Sequence, residues 1–431
     1  MNIDIYKAQY DNPALWFTEE VKQPHHINRI ANVLNNRNYL SGKHKVLQRE
    51  NAKYKGKELV TRKTIINYAK TIINFHDTFI LGKPVSITGD NDNLVNAIRD
   101  VYKYGDYNSV DYQIIDRVNK FGDAYEVMYM DGNTIKSKVI DSADAYPVYN
   151  SMGDYIAFIE HWTDALTNIT YYNVFYPTYV EQWNNEGGNE LLLDKKVNVF
   201  GLPIHYHNFS DTDYNFGESV LDDIRPLLDE LEDIISKMGD AIYVNTLNPL
   251  PVAIGQRLDS SIPADAIGYC LNLDVGDFKV VNTMMDYQTI KLYLDNVKQF
   301  LNDIACVPNV LGSNTNVANV SEVSLKILFH MALIKSEETE KWLVKGFRER
   351  IEKIKKVLSV KGIDVNGNID IGFNLNMPKD SSEVINCLKA MAEMGAISKE
   401  SIIEKSGMIS DVKVELNRLN GENVSQNVSQ E

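Results

Sequence analysis

The residues best suited to metal chemistry are His205 and His207, which alternate along the chain and are followed by Asp211 and Asp213. Imidazole nitrogens and carboxylate oxygens are ligands of zinc sites. The alternation is typical of a strand, however, and no further ligand follows at the spacing of a metal site. We therefore favour surface side chains over a ligand set, and the sequence predicts no metal ion and no cofactor.

Motifs for nucleotide binding and for covalent catalysis are incomplete. The segment Gly82-Lys83-Pro84 lacks the earlier glycine and the following Ser or Thr of a phosphate-binding loop. Residues 217–221 lack the second glycine of a nucleophile elbow. The acidic runs at 222–223 and 229–233 are typical of a solvated helix face. The sequence therefore predicts a protein that is not an enzyme.

The three cysteines are few, odd in number and far apart along the chain, at Cys270, Cys306 and Cys387. A disulfide framework or a paired-cysteine metal site needs closer, paired spacing. The sequence therefore predicts buried thiols.

Length and composition indicate a globular protein of two or three domains. The chain has 431 residues, 44% of them hydrophobic, and a mean hydropathy of −0.28, so it can bury sizeable cores. No window approaches the roughly 18 uninterrupted apolar residues of a membrane span, and the first residues lack the pattern of a signal peptide. We expect no membrane contact and a cytoplasmic protein.

The charge balance argues against a conventional DNA-binding domain. The chain carries 59 acidic and 44 basic residues, for a net charge of −15, whereas tight binding of phosphates needs many lysines and arginines. An acidic surface also repels the phosphate backbone, so DNA passes along it without being held. Ordinary solubility explains the same charge and is the more common reason for it.

Two helical patterns separated by a polar loop are the most informative elements that position side chains. Apolar residues recur at helical spacing over 287–304, and a second pattern without proline starts at Ser321-Glu322 and continues to Val360. The second helix is expected to be roughly 50 Å long at ~1.5 Å per residue. This plan is typical of a part that holds a loop out into a shared space, and it is unusual for an enzyme core.

The loop between these helices is rich in amide and hydroxyl side chains. Such groups offer neutral hydrogen bonds without a fixed charge, but on composition alone a segment of this kind is more often only a connecting loop. The residues are Asn309, Gly312, Ser313, Asn314, Thr315, Asn316 and Asn319. Lys291 and Lys298, on the first helix, either form basic rings in a channel or lie solvated on an outer surface, and the face geometry leaves both alternatives open.

The N-terminal half of the chain predicts helices followed by strands. A helical pattern covers 3–38, and further helices are expected over 64–79, 93–104 and 108–122. Short segments rich in β-branched and aromatic residues then alternate with turn residues, which is typical of an antiparallel meander. These strands are expected over 124–130, 136–140, 146–149, 156–162, 169–175, 179–183 and 197–200.

The C-terminal half predicts helices around a small insert. Ser219 is the expected N-cap of a helix that continues to Ile242, and Pro226 is expected to kink this helix or to start a second segment. A compact insert with strands follows over 245–285. After the long helix, a strand and short helices are expected over 369–375, 382–393, 399–405 and 411–419. The fold class is therefore α+β.

The order of these parts resembles the portal proteins of tailed bacteriophages, in particular the siphovirus type described for a Bacillus phage. The resemblance covers nearly the whole chain, and the order and spacing of its fragments carry it. The fragments are Asn67-Tyr68-Ala69-Lys70, 79–85, Gly217-Glu218-Ser219, Tyr293-Leu294, Val307-Pro308, Gly312, Asn319-Val320-Ser321, Met377-Pro378, Gly395-Ala396-Ile397-Ser398 and 411–419.

The resemblance implies a portal-type α+β fold with an α/β wing, a helical stem, a small α/β clip, a long kinked wing helix and a helical crown. In the numbering of this chain, it implies a wing over 1–216, stem helices over 217–244 and 287–306, a clip over 245–286, a tunnel loop over 307–321, a long wing helix and strand over 322–376, a crown over 377–421 and a disordered tail over 422–431.

The same resemblance implies a ring, usually of twelve subunits, at one capsid vertex, through which DNA is packaged and ejected. The expected partners are the terminase large subunit, a head–tail adaptor protein, the major capsid protein, a scaffold protein and double-stranded DNA in the channel. The expected location is the virion, after assembly in the host bacterial cytoplasm. Docking of terminase and adaptor is assigned to the clip residues Leu250, Pro251, Val252, Ile254, Gln256 and Arg257.

Two alternatives to this function stay open. Another ring-forming head–tail connector component is less favoured, because adaptors are generally much shorter chains. A nucleic-acid-processing enzyme with a helical arm needs a metal cluster or an ATP motif, and neither is found in the sequence. Magnesium-dependent nuclease activity that is lost on mutation of Asp211 or Asp213 would favour the enzyme.

Overall fold

The computed structural model describes residues 3–54, 57–243, 250–255, 277–281, 286–308, 326–377, 381–406, 415–416 and 418–419. The chain divides into two compact units. The first comprises Met1–Ser313 and Met331–Asn376, and the second comprises Asn314–His330 and Met377–Glu431. Helices and antiparallel sheets are both present, so the α+β class expected from the sequence is confirmed at this level.

Most of the helices lie where the apolar periodicity predicts them. The patterns at 64–79, 93–104, 108–122 and 287–304 correspond to helices whose ends differ from the prediction by four residues or fewer. The helices are α1 (Ile3–Lys7), α2 (Trp16–Glu20), α3 (Pro24–Leu40), α4 (Tyr68–Leu81), α5 (Asp92–Tyr104), α6 (Tyr107–Phe121), α7 (Val220–Ile242), α8 (Tyr287–Ile304), α9 (His330–Val360), α10 (Ser381–Glu393) and α11 (Lys399–Ser406).

The strands form two larger sheets and three two-stranded ribbons, and every described pair is antiparallel. The strands are β1 (Ala52–Tyr54), β2 (Lys57–Leu59), β3 (Ser86–Gly89), β4 (Asp123–Asp131), β5 (Thr134–Ile140), β6 (Ala145–Tyr149), β7 (Tyr155–Thr163), β8 (Thr170–Phe175), β9 (Tyr179–Asn184), β10 (Leu191–Val197), β11 (Ile204–His207), β12 (Leu250–Ile254), β13 (Asp277–Val281) and β14 (Ile369–Gly372). The five-stranded sheet has the order β10-β9-β8-β7-β6, and the three-stranded sheet has the order β11-β4-β5.

The expected meander is confirmed for β6 to β9, but β10 was not predicted and the strand expected over 197–200 is wrong. Strand β10 ends at Val197 and β11 begins at Ile204. Between them the Asn198 amide donates hydrogen bonds to the carbonyl oxygens of Tyr176 (3.0 Å) and Gly201 (2.6 Å). Gly201 has φ 73°, a left-handed value that suits glycine. The turn therefore leads the chain out of one sheet and into the other.

The main core of the first unit packs helices on the three-stranded sheet. Leu94 of α5, Ile114 of α6, Ile204 of β11 and Phe347 of α9 are fully buried in one cluster. Strand β14 pairs with β3, with Ile371 opposite Ile87, and so brings residues after α9 back to a strand near the start of the unit. The sequence did not predict β3, because a four-residue strand leaves little period-two signal.

Helix α7 is continuous across Pro226, so the expected second segment is wrong. Pro226 lies in the second turn of the helix, where its missing N–H removes one backbone hydrogen bond. Leu221, Ile224, Leu228 and Leu231 on either side of it are buried, and their packing holds the helix together. The long helix expected from Glu322 is described from His330, and its 31 residues correspond to about 46 Å at ~1.5 Å per residue.

The second unit contains helices α10 and α11, which pack against each other. Leu388 of α10 and Ile403 of α11 are buried. The Ser398 hydroxyl accepts a hydrogen bond from the Ser401 backbone N–H at 3.2 Å and so caps the start of α11. The helix expected over 411–419 falls largely outside the described residues.

Candidate functional site

The candidate site is the pair of helices α7 and α8, and its first element starts at a capping box. The Ser219 hydroxyl accepts a hydrogen bond from the Leu221 N–H at 3.1 Å, and the Asp222 carboxylate accepts one from the Ser219 N–H at 3.0 Å. These contacts satisfy donors that otherwise lack partners at a helix start. The N-cap predicted at Ser219 is therefore confirmed.

Helix α8 packs on α7 and α4 through one narrow apolar face. Val297 and Leu301 are buried against Ile73 of α4 and Leu228 and Leu231 of α7. Asp286 caps the start of the helix, because its carboxylate accepts a hydrogen bond from the Thr289 N–H at 3.2 Å. At the far end, the His76 ring donates from Nε2 to the Ala305 carbonyl oxygen at 2.8 Å.

The apolar stripe expected on α8 is only partly covered in the single chain. Phe300 is 54% exposed and Ile304 is 50% exposed, although both belong to the predicted stripe. Tyr293 is also exposed, and its hydroxyl donates to Glu230 of α7 at 2.9 Å. These three residues lie beside the buried face, and their side chains are about half exposed although the Tyr293 hydroxyl contacts α7. The single chain therefore leaves an apolar flank on α8 uncovered.

Lys291 and Lys298 are exposed on α8. Within the part of the chain that the structure describes, neither ammonium group forms an ion pair. Exposure alone fits both alternatives left open by the sequence, a channel surface and an outer surface. All seven residues proposed for the tunnel loop, Asn309, Gly312, Ser313, Asn314, Thr315, Asn316 and Asn319, lie outside the described residues.

The residues expected to form the clip are described in part. Strands β12 and β13 pair in register from Leu250 opposite Val281 to Ile254 opposite Asp277. Pro251, Val252 and Leu250 therefore lie in a two-stranded ribbon, and Ile254 is 48% exposed at its end. Gln256 and Arg257 lie outside the described residues.

One acidic residue of α7 is buried, which corrects the expectation of a solvated face over 229–233. Glu232 is 1% exposed. Its carboxylate contacts His44 Nδ1 at 2.7 Å and accepts a hydrogen bond from the Ile66 N–H at 2.7 Å. Nearby, the Thr64 N–H donates to the Ser236 hydroxyl at 2.9 Å. The segment before α4 therefore covers this side of α7.

A charged groove of about 760 Å³ lies between the 3-10 turn Lys45–Gln48 and α7. Its charges pair largely within the chain: Arg49 contacts Asp233 at 3.4 Å and Asp240 at 3.1 Å. Arg225 contacts Asp222 at 3.1 Å. The two arginines that line the groove therefore pair within the chain.

Sequence reasoning missed a buried arginine that fixes α9 in the first unit. Arg350 has no solvent exposure, and its Nε donates to Glu126 Oε2 of β4 at 2.9 Å. Its guanidinium also donates to Asp111 of α6 and to the Tyr102 hydroxyl of α5. Burial raises the pKa of Asp111 to about 6, although Arg350 opposes this change. The signal available in the sequence was that Arg350 places a charge on the same, otherwise apolar, helix stripe as Phe347.

The histidine motif is built into the three-stranded sheet, so its assignment to the surface is wrong. His205 contacts Asp123 through Nε2 and the Tyr149 hydroxyl through Nδ1, both at 2.7 Å. His207 is buried, and its Nδ1 lies 2.9 Å from the Asn208 carbonyl oxygen. Both nitrogens of His205 already have partners within the fold, so this ring contributes to packing.

One other group has the composition of a metal site. Glu20, His25 and His26 bring their ligand atoms within 4.8 Å of one another. The Glu20 carboxylate already contacts His26 Nε2 at 3.1 Å and accepts hydrogen bonds from the hydroxyls of Tyr6 and Tyr10. These contacts account for a buried carboxylate without an ion.

Among the described helices, none is long and apolar enough to cross a membrane.

Comparisons with known proteins place these elements in a family. A family model described as "Phage portal protein, SPP1 Gp6-like" matches residues 19–428. No curated protein matches the sequence.

Solved structures that resemble the chain include the virion of a native gene transfer agent particle, at 13% sequence identity and a TM-score of 0.43. This match covers 79% of this chain and 88% of the matched chain. The neck of the empty particle matches at 13% sequence identity and a TM-score of 0.45, over 79% of this chain and 90% of the matched chain. The neck of the native particle matches at 13% sequence identity and a TM-score of 0.44, over 79% of this chain and 88% of the matched chain.

Since the family model spans almost the whole chain, from α2 onward, the chain belongs to the SPP1 Gp6-like family of phage portal proteins.

Proposed function

We propose that this portal protein assembles into a ring of twelve copies at one capsid vertex, with a central channel for packaging and ejecting double-stranded DNA. Family membership over residues 19–428 is the observation that carries the proposal. A ring of identical chains needs surfaces that the single chain leaves uncovered, and the exposed flank of α8 at Phe300 and Ile304 fits this need.

The regional assignments belong to the same proposal. Residues 1–216 form the wing, α7 and α8 the stem, 245–286 the clip, 307–321 the tunnel loop, 322–376 the long wing helix and strand, and 377–421 the crown. The neutral side chains of the tunnel loop contact passing DNA without holding it. The chain itself has no catalytic role in this scheme, and the terminase supplies the energy for DNA movement.

The ring itself is tested by electron microscopy of the purified full chain. We expect ring-shaped particles viewed down the axis, and counting their subunits checks the number twelve. Particles that remain monomers or dimers at every concentration and salt would argue strongly against a portal ring.

Partner docking is tested at the clip. We propose that the terminase large subunit and the head–tail adaptor bind residues 250–257, and that the capsid protein and a scaffold protein contact the ring elsewhere. Charged substitutions at Val252 and Ile254 should reduce the capture of both docking partners by preformed rings. Unchanged capture of both would remove the clip from the docking surface.

A further inference from the structure

A closed ring of identical chains needs two different, complementary surfaces on each copy. In a head-to-tail interface, one surface of each copy binds the other surface of the next. This inference rests on the proposed ring, and it asks which side chains form the two surfaces at the level of α7 and α8.

The first surface is a pair of unpaired lysines on one side of α8. Lys291 and Lys298 are seven residues apart, so they lie on the same helix face, about 10 Å apart along the axis. Both are exposed, and no acidic side chain within the described residues pairs with them. Two ammonium groups at this spacing form a short basic stripe.

The second surface lies on the other side of the same helix pair. Tyr293 follows Lys291 by two residues, and Phe300 follows Lys298 by two, so each lies about 160° around α8 from its lysine. The Tyr293 hydroxyl bonds to Glu230, which places this acidic residue of α7 on the side away from the lysines.

Glu230 has an acidic neighbour on the same face of α7. Asp223 lies seven residues before it and is exposed, as is Glu230. Within the described residues, Asp223 forms no ion pair, in contrast to Asp222, which contacts Arg225 at 3.1 Å. The acidic stripe therefore has the same two-turn spacing as the basic stripe, and the exposed ring of Phe300 lies on the same side of the helix pair.

We propose that Lys291 and Lys298 of one copy bind Glu230 and Asp223 of the next copy in the ring. The equal spacing lets both ion pairs form when the helices of neighbouring copies lie side by side. The exposed apolar flank at Phe300 and Ile304 is covered in the same contact. Under this proposal the lysines face a neighbouring subunit, and they line neither the channel nor the outer surface.

The test is charge reversal with rescue in the full-length chain. Self-association of three variants is measured by mass photometry across a salt series. The basic double variant carries Lys291→Glu and Lys298→Glu, the acidic double variant carries Asp223→Lys and Glu230→Lys, and the quadruple variant carries all four substitutions. Each double variant should associate at least roughly tenfold more weakly than the unmodified chain at low salt, and the quadruple variant should recover association. A matched control reverses two exposed lysines on other helices, Lys103→Glu and Lys356→Glu, with the same change in net charge.

The outcomes separate this inference from the ring itself. If the unmodified chain forms no rings, the proposed function fails. If it forms rings while both double variants assemble as it does, or while the quadruple variant does not recover, the assignment of this interface is overturned. Loss of assembly in the control as well would attribute the effect to net charge and would also overturn it. Circular dichroism of each variant confirms that the helices are intact.

Discussion

Arg350 shows how one residue ties three elements together. Its guanidinium carbon lies 4.7 Å from the centre of the Phe347 ring and 5.1 Å from that of Tyr107, which suits a cation over aromatic faces. Asp111 and Glu126 supply the opposite charges. Because all of these groups are withdrawn from water, removal of one partner leaves the others buried and uncompensated.

We expect Arg350→Met to lower the free energy of unfolding by about 3–5 kcal/mol, because two buried carboxylates lose their partner. Denaturant titration followed by circular dichroism measures the change. Arg348→Met is the matched control, since Arg348 is exposed two residues away on α9, and it should change stability by less than about 0.5 kcal/mol. Equal effects of the two substitutions would contradict the role of the buried network.

His76 makes the junction of α4 and α8 sensitive to pH. Burial lowers the pKa of His76 to about 4, from 6.5. As the pH falls below 6.5, His76 becomes protonated in the unfolded chain but stays neutral in the folded chain. The folded state therefore loses stability between about pH 6.5 and 4.

At pH 5, the shifted pKa of His76 makes the free energy of unfolding about 2 kcal/mol lower than at neutral pH. We expect His76→Gln, which keeps a donor towards Ala305 but does not titrate, to remove this part of the pH dependence. Thermal unfolding at pH 7.5 and pH 5 measures it. The control His330→Gln changes an exposed histidine and should leave the pH dependence of stability as it is. If His76→Gln loses as much stability on acidification as the unmodified chain, the assignment of this pH dependence to His76 is wrong.

At the scale of elements, α9 approaches β11 closely at a glycine. A Cβ atom on Gly346 would lie 2.4 Å from the Tyr206 ring, and Tyr206 is itself held by a 2.6 Å hydrogen bond to Glu126. The ring therefore has little freedom to move away from α9.

We expect Gly346→Ala to destabilise the first unit by about 1–3 kcal/mol, despite the higher helix propensity of alanine. The midpoint of thermal unfolding reports the effect. Lys345→Ala, at the adjacent exposed position, is the control and should be close to neutral. A stabilised Gly346→Ala variant would show that helix propensity outweighs the contact with Tyr206.

Elements with strong periodicity could be predicted from the sequence, and those decided by distant partners could not. Helix α8 was predicted with both of its ends because its apolar spacing and its cap are local. Strand β3 was missed, since it is four residues long and pairs with a strand far along the chain, whereas the alternation at His205 and His207 indicated β11. Pro226 was expected to kink α7 or to start a second segment, and the helix continues across it because the packing of Leu228 and Leu231 outweighs the local cost of proline.

The candidate site was predicted unevenly for the same reason. The sequence identified Lys291 and Lys298, and the periodicity of α8 identified the face that carries them. It assigned Glu232 to a solvated face, because the sequence of α7 does not reveal that His44 and Ile66 cover this residue. Partners from other segments decide which charges of a helix are free.

At the scale of the whole molecule, the tunnel loop is expected to act on passing DNA and not on assembly. Shortening residues 307–320 should leave ring formation intact, because the stem surfaces on α7 and α8 are unchanged, and should impair DNA packaging. Electron microscopy measures the first, and the amount of DNA protected in capsids measures the second. Normal filling of capsids that carry the deletion would contradict the role of the loop.

The pairing of β3 with β14 sets a condition on when this subunit can finish folding. The Ser86 hydroxyl bonds to the Gly372 carbonyl oxygen across 286 residues of sequence. At the usual pace of synthesis, Gly372 leaves the ribosome on the order of 15–60 s after Ser86. Until then, β3 lacks its partner, and for most of this interval the main core also lacks Phe347 and Ile354 of α9. Truncated translation products that end before Gly372 therefore cannot complete the main core of the first unit.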